Sequence, residues 1–223
     1  MCGRFSLSAE PRHIETRFGA KFFTTDFTPI YNAAPSQLLP VILGRNPLGN
    51  SEHKIVLARW GFQPAWAKNW RPQNNARVET AAEKPMFRDA FQARHCLVLA
   101  DGYFEWKTER GRKQPYRYVM RNREPFAMAG IWEQPEFDDQ VPTFAILTTE
   151  ANELVAQVHD RMPVILPISA ERRWLTQTGY GVQRTYPLTF PADEMRSYPV
   201  TPKMNKASFN EADAIAPLER VIV

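Results

Sequence analysis

Cys2, the second residue of the chain, could combine two nucleophiles in a single residue. Methionine is usually removed before a small second residue, so loss of Met1 is expected, and Cys2 then carries a free α-amine beside its thiol. The unperturbed pKa values of these two groups, about 7.7–8.0 and about 8.5, leave both partly available as nucleophiles near neutral pH. The opening segment MCGRF therefore suggests the hypothesis of covalent chemistry at residue 2.

Glu105 lies in the segment ADGYFEWK, residues 100–107, between aromatic side chains. A carboxylate in apolar surroundings has a raised pKa, which suits a general acid or base. Side-chain alternation along a strand equally allows Glu105 to face solvent. The residues alone leave both interpretations open.

Two other polar segments each have a structural and a functional interpretation. In VHDRMPVIL, residues 158–166, His159 could donate a proton and Arg161 could bind a phosphate or carboxylate, but an ion pair at a helix end is the simpler interpretation. In NNARVET, residues 74–80, Asn74 and Asn75 favour a turn, although their amides could also contact a ligand.

Tryptophans and cations alternate in RWGFQPAWAKNWRPQNNARVET, residues 59–80. Aromatic faces stack on unpaired bases at about 1–3 kcal/mol per base, while cations follow the phosphates. Trp60 continues a strand and is predicted to be core, whereas Trp66 and Trp70 lie among proline and polar residues and are predicted to be exposed. Because no basic recognition helix is visible, the segment favours single-stranded over duplex nucleic acid.

Charge is distributed unevenly along the chain. Residues 1–125 contain 20 Lys and Arg against 11 Asp and Glu, and residues 126–223 contain 8 against 13, within a net charge of +4. A basic N-terminal part suits an acidic partner such as nucleic acid, although solvated surface charge produces the same pattern.

The 223 residues, of which 43% are hydrophobic and 23% charged, fit a single domain spanning 1–223. Two cysteines, Cys2 and Cys96, cannot by themselves form a disulfide framework or a zinc site, and Cys96 in HCLVLA is predicted to be a buried strand residue. The sequence shows no signal-peptide core and no membrane span. We therefore expect a cytoplasmic protein with no metal or other cofactor and no membrane partner.

Short strand-like runs dominate the hydrophobic pattern and favour an α+β fold with a mostly antiparallel sheet. Strands are predicted at 38–43, 54–60, 95–100, 116–120, 125–131 and 143–149. Helices are predicted over about 9–18 after a Ser8 cap, over 150–159, and after a Ser169 cap.

Six motifs in a fixed order resemble those of the SRAP family, the SOS response-associated peptidases. They are MCGRF, YNAAP at 31–35, RWGFQPAW at 59–66, NARVET at 75–80, ADGYFEW at 100–106 and HDRMPVIL at 159–166. The tail YPVTPKMN at 198–205 fits more loosely, so the resemblance covers essentially the whole chain. It implies a bifurcated, mainly antiparallel sheet with a small β-barrel and surrounding helices.

The resemblance also implies a function. SRAP proteins bind abasic sites in single-stranded DNA and couple to them through the N-terminal cysteine, whose amine forms an imine with the open-chain aldehyde before the thiol closes a thiazolidine ring. On this basis we expect a monomer associated with the nucleoid through DNA, and binding at junctions of single- and double-stranded DNA. Lyase activity, and peptidase activity on the protein's own N-terminus, are further activities that the family suggests.

The motifs also assign expected roles to individual residues. Cys2 resembles the covalent nucleophile, Glu105 the acid and base, His159 the residue that assists sugar ring opening, and Asn75 the side chain that positions the abasic sugar. The residues that resemble DNA contacts are Arg4, Pro35, Trp66, Arg77, Thr148 and Arg161. Some relatives carry a second aromatic residue beside Trp66, where this chain has Ala67.

Three alternative functions are consistent with parts of the sequence. Class II glutamine amidotransferases, which are N-terminal-nucleophile hydrolases, also begin Met-Cys-Gly, but their Arg-Gly-Pro-Asp-like run is not found here. A cysteine peptidase that acts on its own N-terminus would use Cys2, Glu105 and His159. A DNA-binding module without catalysis would bind DNA but form no stable adduct.

Overall fold

The computed structural model describes residues 2–23, 27–44, 53–67, 69–109, 111–134, 141–176 and 189–218. Within these residues the strands are β1 (Arg4–Leu7), β2 (Lys21–Phe22), β3 (Ile30–Ala33), β4 (Leu38–Leu43), β5 (Lys54–Trp60), β6 (Asn75–Arg77), β7 (His95–Ala100), β8 (Gly102–Glu109), β9 (Arg112–Met120), β10 (Phe126–Glu133), β11 (Thr143–Glu150), β12 (Arg161–Pro163), β13 (Ile165–Leu166) and β14 (Met195–Pro199). The α-helices are α1 (Pro11–Phe18), α2 (Val78–Ala81), α3 (Arg88–Ala93) and α4 (Ile168–Thr176). The predicted α+β class is confirmed.

The first sheet is antiparallel and has the strand order β14-β9-β8-β1-β3. Strand β1, which follows Cys2 in the chain, therefore has a partner on each side. Phe5 in β1 lies opposite Tyr103 in β8, and Tyr103 lies opposite Tyr118 in β9. The N-terminal strand is thus an interior strand of its sheet, which fixes the position of Cys2.

The second sheet contains a closed ring of strands. Its order runs β12-β11-β10-β7-β4-β5-β2, and an additional parallel pairing joins β11 to β5. The five strands from β11 to β5 therefore form a small barrel, as the family resemblance implies. Gly130 in β10 packs closely against the neighbouring strand β7, because a Cβ atom at this position would lie 2.7 Å from Cys96 Sγ. Cys96 is buried in β7, as predicted.

The six strand predictions are confirmed, with small differences at the ends of the last three. Helix α1 is also confirmed, beginning at Pro11 and ending before Gly19, which adopts the left-handed conformation at φ 58°. The predicted cap at Ser8 is wrong, because the Ser8 amide and hydroxyl both donate to Asp101. The predicted cap at Ser169 is also wrong, because α4 already begins at Ile168.

The helix predicted at 150–159 is wrong. The segment forms one 3₁₀ turn, Val155–Gln157, between β11 and β12. Asn152 explains the difference, since its Oδ1 accepts from the Val155 amide at 3.0 Å while its Nδ2 donates to the Phe190 carbonyl at 2.8 Å. Such side-chain bonds compete with a regular helix. Of the turn predicted at Asn74–Asn75, Asn74 lies in a bend, whereas Asn75 begins strand β6, which pairs in parallel with β11.

Asp101 connects the N-terminal segment to the rest of the first sheet. Its carboxylate accepts hydrogen bonds from the Ser6 hydroxyl at 2.6 Å, the Ser8 hydroxyl at 2.8 Å and the Ala9 amide at 3.0 Å. It also forms a salt bridge of 2.8 Å with Arg117, and both side chains are largely buried.

Replacing Asp101 with alanine should destabilise the fold strongly. The change leaves the buried Arg117 guanidinium without a carboxylate, which costs about 3–5 kcal/mol in comparable pairs. Urea unfolding at pH 7 measures the loss of unfolding free energy. The control is Glu124→Ala, which removes an ion pair with His13 that is about half exposed and should cost below about 1 kcal/mol. Equal losses in the two variants would contradict this account of Asp101.

Candidate active site

Cys2 is completely buried and packs in a cluster with Phe5, Trp60, Tyr103 and Tyr118. Its Sγ lies 3.8 Å from the Arg4 carbonyl oxygen, to which it donates a weak hydrogen bond. Burial raises the pKa of the Cys2 thiol, and the nearby charge of Glu105 raises it further. The thiol is therefore held in its neutral form at neutral pH.

Glu105 lies on the buried face of β8, and the alternative of a solvent-facing strand carboxylate is wrong. Its side chain is 2% exposed, because it lies two residues from Tyr103 and therefore on the same face of the strand. Burial raises the pKa of Glu105 to about 7, and the charge of Asp160 contributes to the increase. A carboxyl group with this pKa can both donate and accept a proton near neutral pH.

Asn75 contacts Cys2 directly. Its Nδ2 donates a hydrogen bond of 2.9 Å to the Cys2 carbonyl oxygen. Its Oδ1 is buried and has no hydrogen-bond partner within the described part of the chain. The pairing of β6 with β11, where Asn75 lies opposite Ile146, holds the side chain in place.

His159 follows the 3₁₀ turn and lies one residue before Asp160, whose charge acts on Glu105. The Arg161 amide donates to His159 Nδ1 at 2.9 Å, and Asp160 Oδ1 also lies 2.9 Å from Nδ1. The second contact would favour a protonated ring, but burial has the larger effect and lowers the pKa of His159. We assign the neutral form, with the ring proton on Nε2.

The three arginines that resemble phosphate contacts lie in different environments. Arg77 is exposed at the end of β6. Arg161 is buried and donates through both terminal nitrogens to Glu79 at 2.8 Å, and also to the Thr148 carbonyl. Arg4 donates to protein groups, including the Met204 carbonyl at 2.9 Å. Of the three, Arg77 is the exposed one, whereas Arg4 and Arg161 are bonded to protein groups.

Thr148 is fully buried in β11, where its hydroxyl donates to the Ala76 carbonyl at 3.4 Å. It lies opposite Arg77 across the β6–β11 pairing and opposite Pro163 across the β11–β12 pairing. Thr148 therefore connects the strands that carry Asn75 and Arg161, at the base of the site rather than on its surface.

Two exposed tryptophans lie next to each other in the 59–80 segment. Trp66 is 59% and Trp70 is 60% exposed, and their rings meet edge to face with centroids 5.8 Å apart. Gln63 Nε2 donates to the Ala67 and Trp70 carbonyls and so fixes this loop. The predictions for both tryptophans, and for Trp60 as core, are confirmed. Ala67 is buried, so Trp70 provides the second exposed aromatic ring here.

Pro35 lies half-buried in the turn that follows β3. The next residue, Ser36, has a positive φ of 74°, and its amide donates to the Trp60 carbonyl at 2.7 Å. The turn that carries Pro35 is therefore attached to the strand that leads into the tryptophan loop.

Sequence reasoning missed two polar residues that hold the site together. Glu79 pairs with Arg161 from 82 positions away, and Asn32 accepts a hydrogen bond of 3.0 Å from Arg4. Glu79 is the acid within the NARVET motif, which was the one available signal. The sequence does not indicate its partner.

The described residues contain no group of three or more His, Cys, Asp or Glu side chains arranged to bind a metal ion. Among the helices of the described part of the chain, none has the length and apolar character needed to cross a membrane.

Most of the chain matches known proteins. The family model described as SOS response associated peptidase (SRAP) matches residues 1–207. The abasic site processing protein YoqW of Bacillus subtilis is 35% identical over 226 residues, covering 96% of this chain and 99% of the relative. The abasic site processing protein YedK of Escherichia coli is 32% identical, covering 98% of this chain and 100% of the relative.

A solved structure is similar as well. The crystal structure of a protein from Bacteroides thetaiotaomicron superimposes with a TM-score of 0.83 at 26% sequence identity, covering 98% of this chain and 100% of that one. The family model, the curated relatives and the solved structure each cover nearly the whole chain. The chain therefore belongs to the SRAP family.

Proposed function

We propose that this protein captures abasic sites in single-stranded DNA by forming a thiazolidine through Cys2, once Met1 has been removed. The observation that carries the proposal is the arrangement of three side chains: Cys2 and Glu105 are buried and close enough for the charge of Glu105 to act on the thiol, and Asn75 is bonded to the Cys2 carbonyl. The names of the relatives, abasic site processing proteins, indicate the lesion.

The proposed reaction has three steps. The Cys2 amine adds to C1′ of the open-chain aldehyde, forming a C–N bond while the carbonyl electron pair moves to oxygen, which gains a proton. The C–O bond then breaks, water leaves with a proton from Glu105, and a C=N bond forms. Finally the thiol sulfur bonds to the same carbon, the imine electron pair returns to nitrogen, and the thiol proton passes to Glu105. The net change is loss of one water, and the adjacent amine and thiol give ring closure a large proximity advantage.

The state of the thiol favours this order over that of a cysteine hydrolase. A cysteine that attacks first needs a lowered thiol pKa. In this site burial and the Glu105 charge raise the pKa of Cys2, so the amine is the better first nucleophile. The peptidase alternative rests on the co-location of Cys2 and Glu105 and on the family's description. It predicts cleavage of the protein's own N-terminus without DNA.

Intact-mass measurement tests the proposal. The protein is mixed with a single-stranded oligonucleotide that carries one abasic site and is then denatured. The expected species has the mass of the protein lacking Met1 plus the oligonucleotide minus one water. The same oligonucleotide with an intact base is the control and should give free protein. Absence of a denaturation-resistant adduct with the abasic strand would contradict the proposed function.

Single-stranded DNA should bind more tightly than blunt duplex, and Trp66→Ala should reduce that preference. Loss of one stacking ring costs about 1–3 kcal/mol, or about 5- to 150-fold in Kd. Affinity should also fall steeply with salt, because binding to phosphates releases counterions. Fluorescence anisotropy over a salt series measures both effects.

The matched control for Trp66 is Ile168→Ala, since Ile168 is 68% exposed but lies at the start of α4 outside the tryptophan loop. This variant should bind single strands as the unmodified protein does. Equal affinity of the unmodified protein for duplex and single strand, or an equal loss in both variants, would contradict the assignment of the loop.

A further inference from the structure

Two buried tyrosine hydroxyls in the hydrophobic cluster that contains Cys2 have no hydrogen-bond partner within the part of the chain that the structure describes. They belong to Tyr103 and Tyr118, which are both fully buried. The two rings stack with centroids 5.0 Å apart and planes within 16°. A buried hydroxyl without a partner costs about 1–3 kcal/mol, and a native fold retains few such groups. Phenylalanine would fill the same space without this cost.

The register of the first sheet places both rings on the face of the site. Tyr103 in β8 lies opposite Tyr118 in β9, and Glu105 follows two residues after Tyr103 on the same face. Cys2 packs in the same buried cluster as both tyrosines. Burial raises the pKa of both hydroxyls, and the charge of Glu105 raises it further in each. Both groups therefore remain protonated hydrogen-bond donors across the physiological pH range.

We propose that the hydroxyls of Tyr103 and Tyr118 bind the oxygen of the open-chain sugar aldehyde in the Cys2 site. This inference rests on the proposed function. When the Cys2 amine adds to C1′, the carbonyl electron pair moves to this oxygen, and in the next step the same oxygen leaves as water. A donor already in place stabilises the negative charge that develops on the oxygen and needs no reorganisation during the reaction.

The proposal predicts that loss of either hydroxyl lowers the crosslinking rate without lowering the stability of the fold. Tyr103→Phe and Tyr118→Phe each remove a hydroxyl that the fold does not bond, so the urea midpoint should stay unchanged or rise. Loss of one donor of this kind slows comparable reactions by about 10²–10³-fold. Each variant should therefore crosslink an abasic single strand at least about tenfold more slowly at saturating DNA, and the double variant more slowly still. The Kd for the same strand with an intact base, which has no aldehyde, should not change.

Tyr198→Phe is the matched control. Tyr198 lies opposite Arg117 in the β9–β14 pairing, and Arg117 neighbours Tyr118 and so faces the other side of the sheet. The Tyr198 hydroxyl is bonded, since it accepts from Arg117 at 2.8 Å and donates to the Ile215 carbonyl at 3.2 Å. This variant should show the reverse pattern, with lower stability and an unchanged crosslinking rate.

Single-turnover crosslinking and urea unfolding of the four variants decide the question. Slow crosslinking by the Tyr103 and Tyr118 variants, with stability retained, supports the inference. Crosslinking at the rate of the unmodified protein overturns it and leaves the proposed function intact. A loss of stability like that of Tyr198→Phe also overturns it, because the hydroxyls would then have structural partners. If the unmodified protein forms no adduct, the proposed function fails and this inference fails with it.

Discussion

Cys2→Ala should form no denaturation-resistant adduct with an abasic single strand. The variant retains the N-terminal amine, so an imine can still form, but it lacks the sulfur that closes the ring. An imine hydrolyses in water, whereas the thiazolidine holds C1′ through both nitrogen and sulfur. The yield of stable adduct on a denaturing gel should therefore fall from nearly complete to background, a loss of at least about 10²-fold that is consistent with the size of intramolecular proximity effects.

A second cysteine variant and a chemical trap test whether the loss of adduct in Cys2→Ala is due to the missing sulfur. Cys96→Ala removes the other cysteine, which is buried in the barrel, and should leave the adduct yield unchanged. Borohydride reduction should trap the imine in Cys2→Ala, which would show that the amine adds first. A stable adduct from Cys2→Ala without reduction would contradict the thiazolidine. No trapping by borohydride would contradict the order of the steps.

Glu105→Gln should slow both formation and reversal of the adduct by about 10²–10⁴-fold, the usual contribution of a general acid or base. The amide keeps the shape of the carboxyl group but transfers no proton. Burial raises the pKa of Glu105 to about 7, so the protonated form needed to expel water is lost as the pH rises through that value. The crosslinking rate of the unmodified protein should therefore decrease as the pH rises above 7 and Glu105 ionises. The rate of the variant should not show this decrease. Single-turnover rates at saturating DNA measure the effect.

Stability measurements would test whether unfolding, rather than lost proton transfer, causes the expected effect of Glu105→Gln. The folded-state pKa of Glu105 lies above the ordinary value of 4.5, so the folded state loses stability as the pH rises and the buried group ionises. Glu105→Gln removes this charge and should be at least as stable as the unmodified protein at pH 8. The control Glu124→Gln changes a half-exposed carboxylate and should leave the crosslinking rate unchanged. A Glu105→Gln rate equal to that of the unmodified protein would show that Glu105 has only a structural role.

The strands could be predicted from the sequence because their signal is local. Runs such as LLPVIL and HCLVLA have the composition and length of buried strands wherever they pair. The helix prediction at 150–159 failed for a non-local reason, since Asn152 bonds to Phe190 from 38 positions away. Closure of the barrel likewise depends on the pairing of β11 with β5, which hydrophobic periodicity does not reveal.

The candidate site was predictable only in part. The aromatic neighbours of Glu105 suggested a raised pKa, and the structure agrees. The bond from Asn75 to the Cys2 carbonyl spans 73 positions and has no local signature, and residues alone favoured a turn there. The Arg161–Glu79 pair is equally non-local. Family motifs named Arg161, but its bidentate partner became visible only in the fold.

Because β1 is an interior strand of its sheet, Cys2 is fully covered only after a strand made much later in the chain has paired with β1. The β8 segment that pairs with β1 and helps to bury Cys2 begins at Gly102, about a hundred residues later in the chain. At typical elongation rates of about 5–20 residues per second, a ribosome delivers β8 about 5–20 s after β1. During that interval Cys2 lacks the cover that β8 provides in the folded sheet. Under the proposed function, an aminothiol freed by early removal of Met1 would meet any small aldehyde, and selectivity for DNA aldehydes would begin only when β8 is in place.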